Sequence, residues 1–200
     1  MGKFNIQWII GVIDQFLPIL FWATLIFGFQ EPQIATLTVI SALIHECGHV
    51  FFLKFKGIKS AKPRGDISGF RIRSNAVLSY QDEILLYLFG PLANICIAAI
   101  LCFFDGEFAS MLCTLNIATA ISNLLPVKGY DGYGILRTIA ERKNPDGIAV
   151  RIVEYISAGM IFIFCILSIY FIDRFGSGYW IFGIFFFSML NQLSKWLKNT

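Results

Sequence analysis

Ser41-Ala-Leu-Ile-His45-Glu46-Cys47-Gly48-His49-Val50 places two histidines four residues apart inside an apolar segment, and they are the only histidines in the chain. On an α-helix, four residues rise about 6 Å and turn roughly 40° beyond a full revolution. Both imidazoles then leave one face, close enough to chelate a single metal ion, and the spacing suits zinc. Glu46, turned about 100° from His45, is placed to serve water at the open position of such a site, so it is the candidate general base. A three-position pattern of this kind also recurs by chance on soluble helices. Here the surroundings decide, because ionisable side chains within a hydrocarbon-spanning segment are expensive and mark function.

Composition supports that setting. Hydrophobic residues make up 56% of the 200 residues and charged residues 14%, with a mean hydropathy of +0.69. The apolar runs are long enough to cross a bilayer, which excludes an ordinary soluble domain and gives an all-α polytopic membrane protein. The net charge of +3 does not point to nucleic acid, because the basic residues lie between apolar spans and no nucleic-acid motif accompanies them. Cys47, Cys96, Cys102, Cys113 and Cys165 all fall in apolar spans without a Cys-x-x-Cys pair, so they read as small hydrophobes and not as a disulfide framework. The first apolar run follows Lys3 and shows no small-residue cleavage site, which reads as a retained span.

Six spans are expected, at residues 6–29, 33–55, 84–104, 108–127, 148–172 and 179–197, forming one domain over residues 1–200. Gly90-Pro91 in the third span and Pro126 with Gly129 after the fourth read as helix breaks. A polar stretch from Lys56 to Glu83 follows the second span. Within it Gly69-Phe-Arg-Ile-Arg73 alternates as a half-buried strand does, with Pro63, Gly65 and Gly69 read as turn residues, so a small β-structure is expected there. A short amphipathic piece is expected from Ile135 to Lys143. Fifteen of the sixteen lysines and arginines fall on one side of this topology, Arg174 being the exception, so that side is the cytoplasm and both termini lie there.

Zinc bound by two imidazoles and a water requires a third protein ligand. No histidine remains to supply it, and Cys47 points away from both imidazoles. Three acids survive: Asp131, Asp14 and Glu154. Asp131 is favoured because Gly129 and Gly132 beside it permit a bend toward the histidines, whereas Asp14 suits an orienting partner of a ligand histidine and Glu154 falls near the interface. Asn94 and Asn123 carry two readings, as substrate-binding groups or as helix–helix hydrogen-bonding residues.

These residues resemble the site-2 protease family of intramembrane zinc metalloproteases (peptidase M50), in its compact bacterial sporulation-type branch. Three stretches carry the resemblance in order: His45-Glu46-Cys47-Gly48-His49, Gly90-Pro91-Leu92-Ala93-Asn94, and Asn123-Leu-Leu-Pro126 followed by Asp131-Gly132. The resemblance implies that Asp131 completes the zinc site, that Glu46 activates water, and that Asn123 helps to hold the substrate backbone. It also implies a membrane-associated β-structure after the second helix and a membrane-embedded or membrane-associated protein or peptide substrate. The setting it implies is a bacterial plasma membrane, where a regulatory membrane partner is conceivable. Two positions depart from the family pattern: Gly129 stands where a proline is usual, and Tyr133 where a second glycine is usual, so the loop bearing Asp131 is expected to follow its own path. No PDZ or nucleotide-sensing module is expected after the sixth span. The rival readings are a transporter, which would show repeated halves that this chain lacks, and a zinc-binding receptor or inactive homologue, which would have no need of Glu46. A prenyl-protein protease would require further downstream acids or histidines.

Overall fold

The computed structural model describes residues 31–58, 61–66, 69–74 and 78–175, together with positions 183, 185, 186, 189 and 190. The expected first span, with Asp14, and most of the sixth lie outside the described residues.

Among the described residues, five helices and one hairpin follow in order: α1 (Pro32–Phe55), β1 (Ala61–Asp66), β2 (Gly69–Ser74), α2 (Tyr80–Leu101), α3 (Glu107–Asn123), α4 (Asp131–Lys143) and α5 (Ile148–Phe175). Proline in the first turn of α1 fits a position whose N–H would have no intrahelical partner. Ser79 caps α2, its Oγ accepting from the Asp82 amide at 3.1 Å, with Asp82 and Glu83 in the first turn where carboxylates oppose the helix dipole.

Among the described residues, α1, α2 and α5 are long and apolar enough to cross a membrane. The fourth expected span corresponds to α3, which is shorter at 17 residues, a rise of about 25 Å. Large apolar side chains such as Phe103, Ile163 and Phe171 stand exposed, a surface suited to hydrocarbon.

Between α1 and α2 the two strands pair antiparallel, with Lys62 opposite Arg73 and Arg64 opposite Arg71. Pro63 and Gly65 are not turn residues. They sit in the ladder opposite Ile72 and Phe70, and the reversal falls between Asp66 and Gly69. A two-stranded hairpin has only edge strands, where proline is tolerated. The ends of the flanking helices are tied by Lys56 Nζ and Asp82 Oδ1 at 2.7 Å.

The expected break in the third span is absent. Helix α2 runs unbroken through Gly90-Pro91, both of them buried. Losing one helical hydrogen bond to proline costs about 3 kcal/mol, and the packing of α2 against α1, α3 and α4 offsets it. The break after the fourth span is present: α3 stops at Asn123, ahead of Pro126, and Gly129 has φ +115°.

Candidate metal centre

His45 and His49 project from one face of α1, and both are buried. Their Nε2 atoms lie 3.2 Å apart. Asp131 Oδ2 stands 3.0 Å from His45 Nε2 and 3.4 Å from His49 Nε2. Three potential ligand atoms from two helices, separated by 82 residues of sequence, therefore converge on one point.

The protons can be placed from the partners. His49 Nδ1 lies 2.8 Å from the Leu86 carbonyl oxygen, which can only accept, so Nδ1 carries the hydrogen and Nε2 of the neutral ring keeps its lone pair. His45 Nδ1 lies 2.9 Å from Asn94 Oδ1. The orientation of that amide is fixed in turn, because Asn94 Nδ2 donates to the Ser41 carbonyl at 2.9 Å and to Asn116 Oδ1 at 2.8 Å. Asn116 Nδ2 donates to the Leu112 carbonyl at 2.8 Å. Two backbone carbonyls thus orient both amides, and the amides orient the ring of His45.

The result is two imidazole lone pairs facing a buried carboxylate oxygen, Asp131 Oδ2, that receives no hydrogen bond. Three electron-pair donors crowded in this way repel one another unless a cation lies between them. His45, His49 and Asp131 form a group able to hold a metal ion, and two imidazoles with one carboxylate are a donor set that fits zinc with one position left open.

Local structure explains how Asp131 arrives. The amphipathic helix expected from Ile135 begins earlier, at Asp131 itself, so the carboxylate sits in the first turn of α4 where the helix dipole favours a negative charge. A Cβ on Gly132 would lie 2.0 Å from the Leu124 carbonyl oxygen, so only glycine lets α4 begin against the end of α3. Gly129, at φ +115°, adopts a conformation closed to proline. The loop is anchored on α5, where the Lys128 amide donates to Ser157 Oγ at 2.7 Å.

Glu46 follows His45 on α1, with its Oε2 buried. Asn123 ends α3, its Nδ2 donating to the Thr119 carbonyl at 3.0 Å. Asn94, expected among the substrate-binding residues, is 0% exposed and its amide is engaged by His45, Ser41 and Asn116. The structure places it against His45, between α1 and α3. Glu154 belongs to α5 and is not part of the cluster.

Sequence reasoning missed Gly90, Ser41 and Asn116. A Cβ on Gly90 would lie 2.5 Å from His49 Nε2 and 2.7 Å from His45 Cε1, so α2 lies directly against both imidazoles because residue 90 has no side chain. A Cβ on Gly48 would lie 2.3 Å from the Phe89 carbonyl oxygen, so the same close approach is needed from the α1 side. The signal for Ser41 and Asn116 was available: like Asn94, they are polar residues within apolar helices, and they need partners there.

Comparison with known proteins agrees with the geometry. The fold matches the solved structure of a site-2 protease from Methanocaldococcus jannaschii with a TM-score of 0.66 at 21% identity, covering 91% of this chain and 87% of that one. A Bacillus subtilis (strain 168) protein, provisionally named peptide zinc metalloprotease protein YydH, is 27% identical over 110 residues. That match covers 49% of this chain and 44% of the relative, so less than half of the relative's length is represented. No family model matches the chain. The chain shares the fold of that site-2 protease, and its own His45, His49 and Asp131 form a donor set that fits zinc.

Proposed function

We propose that this chain is an intramembrane zinc metalloprotease of the site-2 protease type. It hydrolyses peptide bonds of membrane-embedded or membrane-associated proteins and peptides near the cytoplasmic face of a bacterial plasma membrane. The observation that carries this reading is the convergence of His45 Nε2, His49 Nε2 and Asp131 Oδ2, with Glu46 next to the first ligand on the same helix. In the same reading the chain is one domain of six spans with both termini in the cytoplasm, and the β1–β2 hairpin lies at the membrane surface beside the site.

His45, His49 and Asp131 would hold zinc. When bound, zinc supplies Lewis acidity toward a peptide carbonyl and toward water. Glu46 takes a proton from the attacking water and delivers it to the leaving amine nitrogen, the two transfers that amide hydrolysis needs. Asn94 and the Leu86 carbonyl hold the two imidazoles in the tautomer that presents Nε2. Asn123, at the end of α3 that leads into the Asp131 loop, offers an amide to the substrate backbone. Burial of the site among α1, α2 and α4 limits the water that competes for these groups.

The test is Glu46→Gln, which keeps size and shape but removes the base. Proteolysis of a membrane-anchored substrate should fall by at least about 100-fold, while zinc content stays near that of the parent protein. Wild-type cleavage by the variant would remove Glu46 from the mechanism. A zinc-loaded parent protein that cleaves none of a panel of membrane-anchored peptides would favour the binding-only alternative.

A further inference from the structure

Two thiols that the metal centre does not use stand together at the opposite end of the helices. Cys102 follows the last residue of α2, and Cys113 lies in the second turn of α3. Their sulfurs are 3.6 Å apart, which is non-bonded contact. Cys102 is exposed and Cys113 half-buried, and the Cys113 thiol also reaches the Ala98 carbonyl at 3.5 Å. Cys47, Cys96 and Cys165 are not paired in this way.

The charge pattern gives the compartment. Between Arg73 and Lys128 the chain has no lysine or arginine, and the charged residues at the α2–α3 connection are Asp105 and, at the start of α3, Glu107. Basic residues collect on the cytoplasmic side, so this connection faces outward, away from the reducing cytosol. Proximity is observed, and the compartment follows from the orientation proposed above.

We propose that Cys102 and Cys113 form a reversible disulfide on the outer face of the membrane, stapling the end of α2 to the start of α3. The sulfurs must close from 3.6 Å to a bond of about 2.05 Å. The oxidant is an external disulfide. One thiol loses its proton and attacks it, forming a mixed disulfide and releasing one reduced thiol. The second cysteine then displaces the other half. Overall, the protein loses two protons and two electrons, one S–S bond forms, and the external disulfide leaves as two thiols. The staple closes the loop between α2 and α3, the two helices whose Asn94–Asn116 hydrogen bond orients His45. The placement rests on the orientation proposed above, whereas proximity does not depend on it.

The test uses the full chain. Purified protein in detergent is treated with oxidised glutathione, alkylated, digested and mapped by mass. The expected result is a Cys102–Cys113 cross-linked peptide about 2 Da lighter than its two reduced parts, reversed by reductant and absent in Cys102→Ser and Cys113→Ser. In the oxidised protein the thermal midpoint should rise by several degrees, a rise that both serine variants lose. Five alkylated thiols after oxidation, or glutathione retained on either cysteine without closure, would overturn the proposal. A membrane-impermeant maleimide on intact cells then reads placement: labelling of Cys102 only after reduction supports it. Equal labelling without reduction shows a free dithiol and sinks the disulfide. Closure in detergent with no labelling from outside shows the orientation to be wrong while leaving the metal chemistry untouched.

Discussion

The two halves of the metal centre are built on different principles. The α1–α2 half holds its ligands through hydrogen bonds: each imidazole is pinned at Nδ1, by Leu86 O or by Asn94, on helices that run without interruption. The α3–α4 half holds its ligand through backbone: Asp131 comes in on a chain that ends one helix, turns at Gly129 and starts another at the carboxylate itself. The difference shows that a site can be rigid on one side and jointed on the other and still bring three donor atoms together. Substitutions in the two halves should therefore fail differently.

The largest effect should come from the jointed half's own ligand. Asp131→Asn replaces an anionic donor by a neutral amide and leaves two imidazoles as a weak, open site. Changes to groups that merely support a metal ligand cost about 10–100-fold in affinity, so loss of the ligand charge should exceed about 100-fold in zinc affinity, and cleavage should disappear with it. Asp14→Asn should act less strongly. Full zinc in Asp131→Asn together with metal loss in Asp14→Asn would move the ligand role to the first span and break the comparison outright.

Next in size is the pinned half. Asn94→Leu fills similar space but cannot accept from His45 Nδ1, which frees the ring to turn. Zinc affinity, measured against a competing chelator, should fall by about 10–100-fold, with Michaelis constants for substrate changed little once zinc is saturating. The opposite pattern, unchanged zinc affinity with a raised KM, would return Asn94 to substrate binding and show that the hydrogen bond to His45 is incidental.

How far the site could be read from sequence divides along the same line. The histidine pair was legible because helical periodicity alone puts positions 45 and 49 on one face, and the long spans were legible from apolar runs. Asp131 was reached by elimination and by its glycines, but not its position in the first turn of a helix, because Pro126 and Gly129 read as helix breaks and the amphipathic piece was expected only from Ile135. The role of Asn94 was not legible: an amide in an apolar helix announces a partner, and only packing names it. Gly90 was hidden for a related reason, since the need for a missing side chain appears only when the imidazoles opposite are known. Pro91 misled because its local tendency to break a helix is outweighed by burial on three sides.

The smallest expected effect tests the joint itself. Gly129 has φ +115°, where a side chain is strained, and it lies in the loop two residues before Asp131. Gly129→Ala should cost about 1–3 kcal/mol of backbone strain. Some of that strain can be relieved by a shift of the loop, because the Lys128 amide is tied to Ser157 on α5 while Asp131 belongs to α4. The relief would displace Asp131 relative to the pinned imidazoles, so zinc affinity should fall by less than the roughly 10-fold lower bound expected for Asn94→Leu, and the protein should still fold. A control at Gly57, which also has positive φ but has open space around it and no link to the site, should show comparable strain with zinc affinity unchanged. If Gly129→Ala binds zinc as tightly as the parent while losing the same stability as Gly57→Ala, the loop does not transmit its conformation to Asp131. The carboxylate would then be held by α4 alone, packed through Gly132 on the end of α3, and the jointed half would prove as rigid as the pinned one.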